Sequence, residues 1–232
     1  MSTKFFTNQD TNTLLNKFKG IFEHNTDIEN FDALVGYFRA SGYFKVRPFL
    51  DNVPHIRILV GIDVDKILAK YQSKGLLFQG DANQTLIEFL SEVKSDIQDA
   101  DYNQEIEEGI LQFIEDIATR KIEIKAHPSK KLHAKIYIFK PKGWNEHKSG
   151  YVITGSSNLT ENGLGGTDNF NYEFNVQLKD YDDVKFASDE FERLWIEGIS
   201  ILPVEINKVK KETFLNDDFT PFEVYIKFLI EY

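Results

Sequence analysis

His133 and Lys135 stand one residue apart in K-L-H-A-K-I-Y-I-F-K, and T-G-S-S-N-L-T follows, carrying Gly155, Ser156, Ser157 and Asn158. The apolar residues Leu132, Ala134, Ile136 and Ile138 alternate with them, which predicts a β-strand aiming the imidazole and the ammonium at the same face. The run Tyr151 to Thr154 reads as a second, buried strand that breaks at Gly155 into a turn. Such a turn supplies backbone N–H groups, a hydroxyl and an amide, a set suited to phosphate oxygens. The pairing suggests phosphodiester chemistry that needs no divalent cation or other cofactor.

Each residue also has a plainer reading. A histidine in an alternating strand is ordinarily a half-buried polar residue, and a serine after glycine is ordinary turn chemistry. Two motifs at this spacing, with Glu173 following in N-Y-E-F-N-V, favour a site. Asn171 has two readings, as a partner of Glu173 or as the start of a strand.

The combination resembles the phospholipase D superfamily, whose hallmark is His-x-Lys, four spacer residues, Asp, and then Gly-Ser-x-Asn. The likeness covers residues 121 to 178 and extends more weakly back to about Asn30, through F-D-A-L-V-G-Y-F-R-A-S-G-Y-F and H-I-R-I-L-V-G-I-D. It implies His133, Lys135, Ser156, Asn158 and Glu173 as catalytic, Glu173 orienting the histidine. Gly155, Ser157, Lys140 and Lys131 would bind phosphate. Lys140 occupies the position of the family's aspartate, which either removes a support or adds a cation for phosphate. Superfamily members pair two His-x-Lys motifs across a pseudo-twofold axis. Here His55-Ile56-Arg57 echoes the motif with no Gly-Ser-x-Asn after it. The resemblance therefore implies a homodimer in which the His133 of each copy faces the other, one as nucleophile and one as general acid.

The 232 residues are 41% hydrophobic, enough for one large domain with an appendage. Cysteine is absent, which excludes disulfides and thiolate metal sites and fits a cytoplasmic protein. No apolar run is long enough for a membrane span and the first residues lack a signal-peptide core, so no membrane partner is expected. The net charge of −10 argues against a generic nucleic-acid binder. Between Arg120 and Lys148, however, nine basic residues face two acidic ones, placing positive charge beside the proposed site. A polyanionic backbone would lie there, unless this is a solvated basic hairpin.

Periodicity places helices at about Thr11 to His24, Phe44 to Leu50, Asp65 to Lys74, two between Thr85 and Arg120, and Asp182 to Gly198. Strands are expected at F-D-A-L-V-G-Y-F, His55 to Ile62, and the three segments of the site. The acidic stretch D-I-Q-D-A-D-Y-N-Q-E-I-E-E reads as a solvated loop, and Asp63 and Asp65 as helix-start residues rather than metal ligands. This alternation predicts an α/β fold, a phospholipase D-like layered α/β/α sandwich with a mixed central sheet. Residues 1–202 would form the nuclease-like domain and 203–232 a helical extension, with Pro221 opening a helix whose apolar face needs a partner. That ending resembles bacterial proteins in which such a domain precedes a helicase of the SNF2 class in one full-length chain, a restriction or defence system. The function expected is thus a DNA endonuclease. A catalytically weak or inactive DNA-binding and dimerisation module is the alternative, and a lipid phosphodiesterase has less in its favour.

Overall fold

The computed structural model describes residues 4–9, 11–61, 82–99, 104–127, 132–165, 171–201 and the single positions 226, 229 and 230. In chain order the elements are β1 (Phe5–Thr7), α1 (Leu14–His24), β2 (Ile28–Val35), α2 (Ala40–Val46) with a 3-10 turn at Arg47–Phe49, and β3 (His55–Val60). There follow α3 (Ala82–Asp99), α4 (Gln104–Ala118), β4 (Glu123–Ala126), β5 (Ile136–Pro141), β6 (Tyr151–Gly155), α5 (Glu161–Leu164), β7 (Phe174–Leu178), α6 (Tyr181–Glu197) and β8 (Ile199–Ser200). The strands form one sheet in the order β1-β7-β6-β5-β2-β3-β4-β8. β2, β3 and β4 are parallel to one another, and every other pairing is antiparallel. The fold is therefore an α/β sandwich around a mixed sheet.

Alternation along the strands assigns the two faces. Phe31, Ala33, Tyr137, Phe139 and Ile153 enter the larger core, with Phe18 of α1, Tyr43 of α2, Phe89 of α3 and Phe113 of α4. Leu34, Leu59, Ile138 and Val152 face the other way and pack on the stripe Val184, Ala187, Phe191, Leu194 and Trp195 of α6. Helix α1 starts where the Thr13 hydroxyl accepts the Asn16 N–H at 3.2 Å. Asp116, buried on α4, accepts the Tyr43 hydroxyl at 2.6 Å and two Arg47 N–H groups, pinning α2 to α4. The phenol's burial against that carboxylate pushes its pKa far up.

One expectation changes. The acidic stretch is helical at both ends, since α3 runs through Asp99 and α4 begins at Gln104, so the two helices extend into a segment expected as a loop. The helix over Asp65 to Lys74, the 202/203 boundary and most of the terminal helix lie outside the described residues; there, Ile226, Leu229 and Ile230 are helical and exposed. No helix among the described residues is long and apolar enough to cross a membrane.

The α6 face also buries charge. Asp32 of β2, fully buried, accepts Arg57 Nε at 2.7 Å and lies 3.4 Å from Lys140 Nζ. Arg57 reaches on to Glu192 at 2.6 Å and stacks on Phe191, 4.9 Å from its ring. The guanidinium holds Glu192 below the ordinary glutamate range. Arg57→Met leaves the Asp32 carboxylate without its main partner, and we expect a loss of about 3 kcal/mol, read as a lower urea midpoint. Glu192→Gln, at a half-exposed position, costs less than about 1 kcal/mol. That smaller difference is present at neutral pH and vanishes as the pH falls through the lowered Glu192 value, because protonation then removes the same charge.

Candidate active site

β2 and β3 end side by side, and the segment 132–135 crosses their carboxyl ends. The crossing is tight: a Cβ at Gly36, the residue after β2, would stand 2.7 Å from Leu132 O and 3.2 Å from His133 Cα. One at Gly61, after β3, would stand 2.7 Å from the same carbonyl. Only glycine admits such an approach. His133 and Lys135 consequently do not lie on a strand. The β5 ladders to β2 and β6 both stop at Ile136, and the preceding residues pack onto strand ends instead of pairing.

Off the ladder, the two side chains still meet. Lys135 Nζ donates to His133 O at 2.6 Å and lies 3.0 Å from His133 Nδ1. His133 is exposed, whereas Lys135 is only 3% accessible. Burial pulls the lysine pKa down, opposed by the nearby charge of Glu173.

The turn after β6 forms the other wall. Ser156 Oγ donates to the Glu173 carboxylate and accepts Phe174 N–H at 3.1 Å, while Ser156 N–H donates to Phe174 O at 3.2 Å. Ser157 is buried; its N–H donates to Asn175 Oδ1 at 3.3 Å, its hydroxyl accepts Asn175 Nδ2 at 2.9 Å, and its carbonyl accepts the Tyr137 hydroxyl at 2.9 Å. The turn N–H groups expected to face phosphate at Ser156 and Ser157 are thus turned into the fold. Gly155 serves the same packing, because a Cβ there would stand 2.4 Å from Asn175 Oδ1. Asn158 is different: its Oδ1 accepts Tyr37 N–H at 3.0 Å, so its N–H donors are what it offers a ligand.

Several expected positions sort differently. Glu173 is bonded to Ser156 rather than to the His133 imidazole, which Lys135 holds. Asn171 precedes β7 and gives its carbonyl to Asn8 Nδ2 at 2.7 Å. Lys140 is not brought to the cluster: one residue past Phe139, it points to the α6 face, where it donates to Ser188 Oγ at 2.9 Å beside Asp32. Lys131 lies outside the described residues. Sequence reasoning missed Asn8, which also accepts Glu173 N–H at 3.0 Å, together with Gly36, Tyr37, Tyr137 and Asn175. The Asn175 signal was present, two residues past Glu173 in N-Y-E-F-N-V. The Asn8 contact spans 165 positions and leaves no local trace.

The arrangement presents an exposed imidazole, a buried ammonium and an amide at the carboxyl ends of parallel strands, a combination suited to an anionic oxygen and a nucleophilic nitrogen. Residues 40–195 match the sequence family described as "Cardiolipin synthase, PLD-like domain". A comparison with curated protein sequences gave no match. Among solved structures the chain is similar to Nuc, a phospholipase D family member from Salmonella typhimurium, at 10% identity and a TM-score of 0.49, covering 85% of this chain and 96% of that one. It is similar to NucT from Helicobacter pylori at 12% identity and a TM-score of 0.38, over 85% and 99% of the two chains. With phosphatidylserine synthase from Haemophilus influenzae it shares 14% identity and a TM-score of 0.49, covering 98% of this chain and 45% of the synthase. The family match spans more than half of the chain and contains His133, Lys135, Asn158 and Glu173, and the protein therefore belongs to the phospholipase D-like family.

Proposed function

We propose that the protein is a metal-independent phosphodiesterase acting on DNA, with His133 as the nucleophile. The observation that carries this reading is the contact of buried Lys135 with His133, 3.0 Å from Nδ1, across from the Asn158 amide. A phosphoryl oxygen entering between them takes the lysine's proton donors away from the His133 carbonyl and imidazole. With Lys135 moved onto the phosphate, Nδ1 is free to carry the imidazole proton, and Glu173, once released from Ser156, would be its acceptor, leaving Nε2 its lone pair.

Nε2 then forms a bond to phosphorus as the ester oxygen leaves. That oxygen takes a proton from the imidazolium of a second His133, contributed by another copy of the chain. In the return step water gives a proton back to that second imidazole while its oxygen displaces Nε2, restoring both histidines. Lys135 and the Asn158 N–H groups stabilise the charge developing on the phosphoryl oxygens. A second copy is invoked because one His-x-Lys motif supplies one histidine and the step needs two in opposite protonation states.

DNA is favoured over lipid by the basic residues concentrated from Arg120 to Lys148. Coupling to a helicase in a longer chain, within a restriction or defence system, is supported by the resemblance of the Thr220-Pro221-Phe222 segment alone. The alternative of a weakly active or inactive DNA-binding and dimerisation module is favoured by one observation: Ser157 and Lys140 are committed to the fold.

Wild-type protein is expected to nick supercoiled plasmid in excess EDTA, and His133→Ala to abolish nicking; metal-dependent nicking that survives the substitution overturns the mechanism. Lys135→Met lowers kcat on the order of 100- to 1,000-fold. The same variant is more stable than wild type at neutral pH, since a buried ammonium is removed. This gain shrinks as the pH rises through the lowered Lys135 value, where the wild-type side chain sheds its charge anyway. Adding excess His133→Ala chain, with time for exchange, lowers cleavage per wild-type chain when one site draws on two copies. Cleavage indifferent to that addition sinks the shared site.

A further inference from the structure

The turn leaving β2 is built into the candidate site by its backbone. Tyr37 N–H donates to Asn158 Oδ1 at 3.0 Å, Arg39 N–H donates to Leu159 O at 3.2 Å, and Phe38 between them is buried against Phe113. A Cβ at Gly36 would stand 3.2 Å from His133 Cα and 3.5 Å from Lys135 Nζ. Tyr37 and Arg39 are therefore exposed at the rim of the site on a backbone held on both sides. They also hold each other: Arg39 Nε donates to the Tyr37 hydroxyl at 3.1 Å, and the guanidinium lies 5.4 Å from the ring centroid. Tyr37 keeps 37% of its surface accessible.

A second observation concerns the cations a duplex would need. Affinity for double-stranded DNA comes largely from rows of Lys and Arg on successive phosphates. In the basic stretch, Lys121 donates to the carbonyls of Asp51 and Val53, and Lys125 to Trp195 O. Lys140 is engaged by Ser188 and Asp32, and Lys148 by Asp27 and Lys142 O. Four of the nine basic residues that read in the sequence as a DNA track are thus engaged by the protein's own groups, on a chain of net charge −10.

We infer that Tyr37, backed by Arg39, is a base-stacking platform that selects an unstacked nucleotide beside the scissile phosphate, making single strands and frayed ends the preferred substrate. Base–aromatic stacking tolerates any base, and it requires that the base be out of a duplex stack. The inference rests on the phosphodiesterase reading for its substrate, and deepens it by naming the form of nucleic acid and the residues that choose it.

The test is equilibrium binding in EDTA on the His133→Ala chain, which prevents turnover. The probes are a fluorescein-labelled single-stranded oligonucleotide, the same strand with tetrahydrofuran abasic residues, and its blunt duplex. The normal single strand should bind most tightly. Adding Tyr37→Leu should weaken its binding on the order of 5- to 100-fold and bring the normal-to-abasic ratio towards one. Tyr37→Phe, which keeps the aromatic face, should retain the ratio, and Arg39→Gln should reduce it as a second, independent variant. Circular dichroism checks that each variant is folded. Equal weakening on normal and abasic strands, no weakening, or a preference for duplex overturns the platform. Plasmid nicking by wild type is scored separately, so absent cleavage refutes the phosphodiesterase while the binding ratios still decide the platform.

Discussion

The approach of the Leu132 carbonyl to Gly36 and Gly61 is the contact on which the site depends. Two parallel strands must end at the same level, each on a residue without a side chain, for the chain to cross them. The crossing takes 132–135 off the ladder, exposes His133 and buries Lys135 beside it. It also brings the β2 turn, one residue beyond Gly36, against Asn158. A single side chain at either glycine would lift the histidine segment from the strand ends and separate these groups together. The site is in this sense a consequence of backbone packing, and the side chains inherit their positions from it.

The sheet divides the work between its faces. The face under α1 to α4 is filled by aromatic and aliphatic groups, Phe18 meeting Tyr137 and Phe139 at ring separations of 5.1 and 5.2 Å, and it terminates in the Tyr137 hydroxyl that anchors the Ser157 carbonyl. The face under α6 carries the Asp32, Arg57, Lys140 and Glu192 charges. Strand alternation alone sends Lys140 there, since Tyr137 and Phe139 must face the larger core. The cation at the family's aspartate position thus finds its opposite charge on the neighbouring strand, in Asp32. Its role is to neutralise a buried carboxylate, at a distance from the phosphate it was expected to meet.

The Gly-Ser-Ser-Asn turn shows a similar economy. Ser157 and Asn175 satisfy one another's polar groups in a place that excludes water, as buried hydroxyls and amides require. Ser156 and Glu173 close the turn onto β7. Asn158 Oδ1 accepts Tyr37 N–H, which leaves its amide N–H groups, with Lys135, as the donors that the proposed function assigns to an anionic oxygen in place of a nest of backbone N–H groups. Gly155, Ser156 and Ser157 hold the turn to β7, and the residue after them, Asn158, is the one tied to the β2 turn.

Much of this was legible in the sequence because it is local. Val184, Ala187, Phe191, Leu194 and Trp195 recur at helical spacing and do form the stripe of α6, and the Tyr151 strand and its break at Gly155 fall where the apolar run and the glycine place them. The acidic stretch was misread since acidity reports solvent exposure, which helix faces share with loops. In the basic stretch the sequence does not show which lysines the fold engages, because partners such as Asp27, Asp32 and the Trp195 carbonyl lie far away in the chain. By itself the sequence determined the motif, the residue types able to attack and clamp a phosphodiester, and the periodicities that make an α/β sandwich. Only the tertiary structure decided which of those charges face a ligand, since that depends on strand alternation and on contacts between distant residues such as Asn8 and Glu173, for which no neighbouring residue carries a signal.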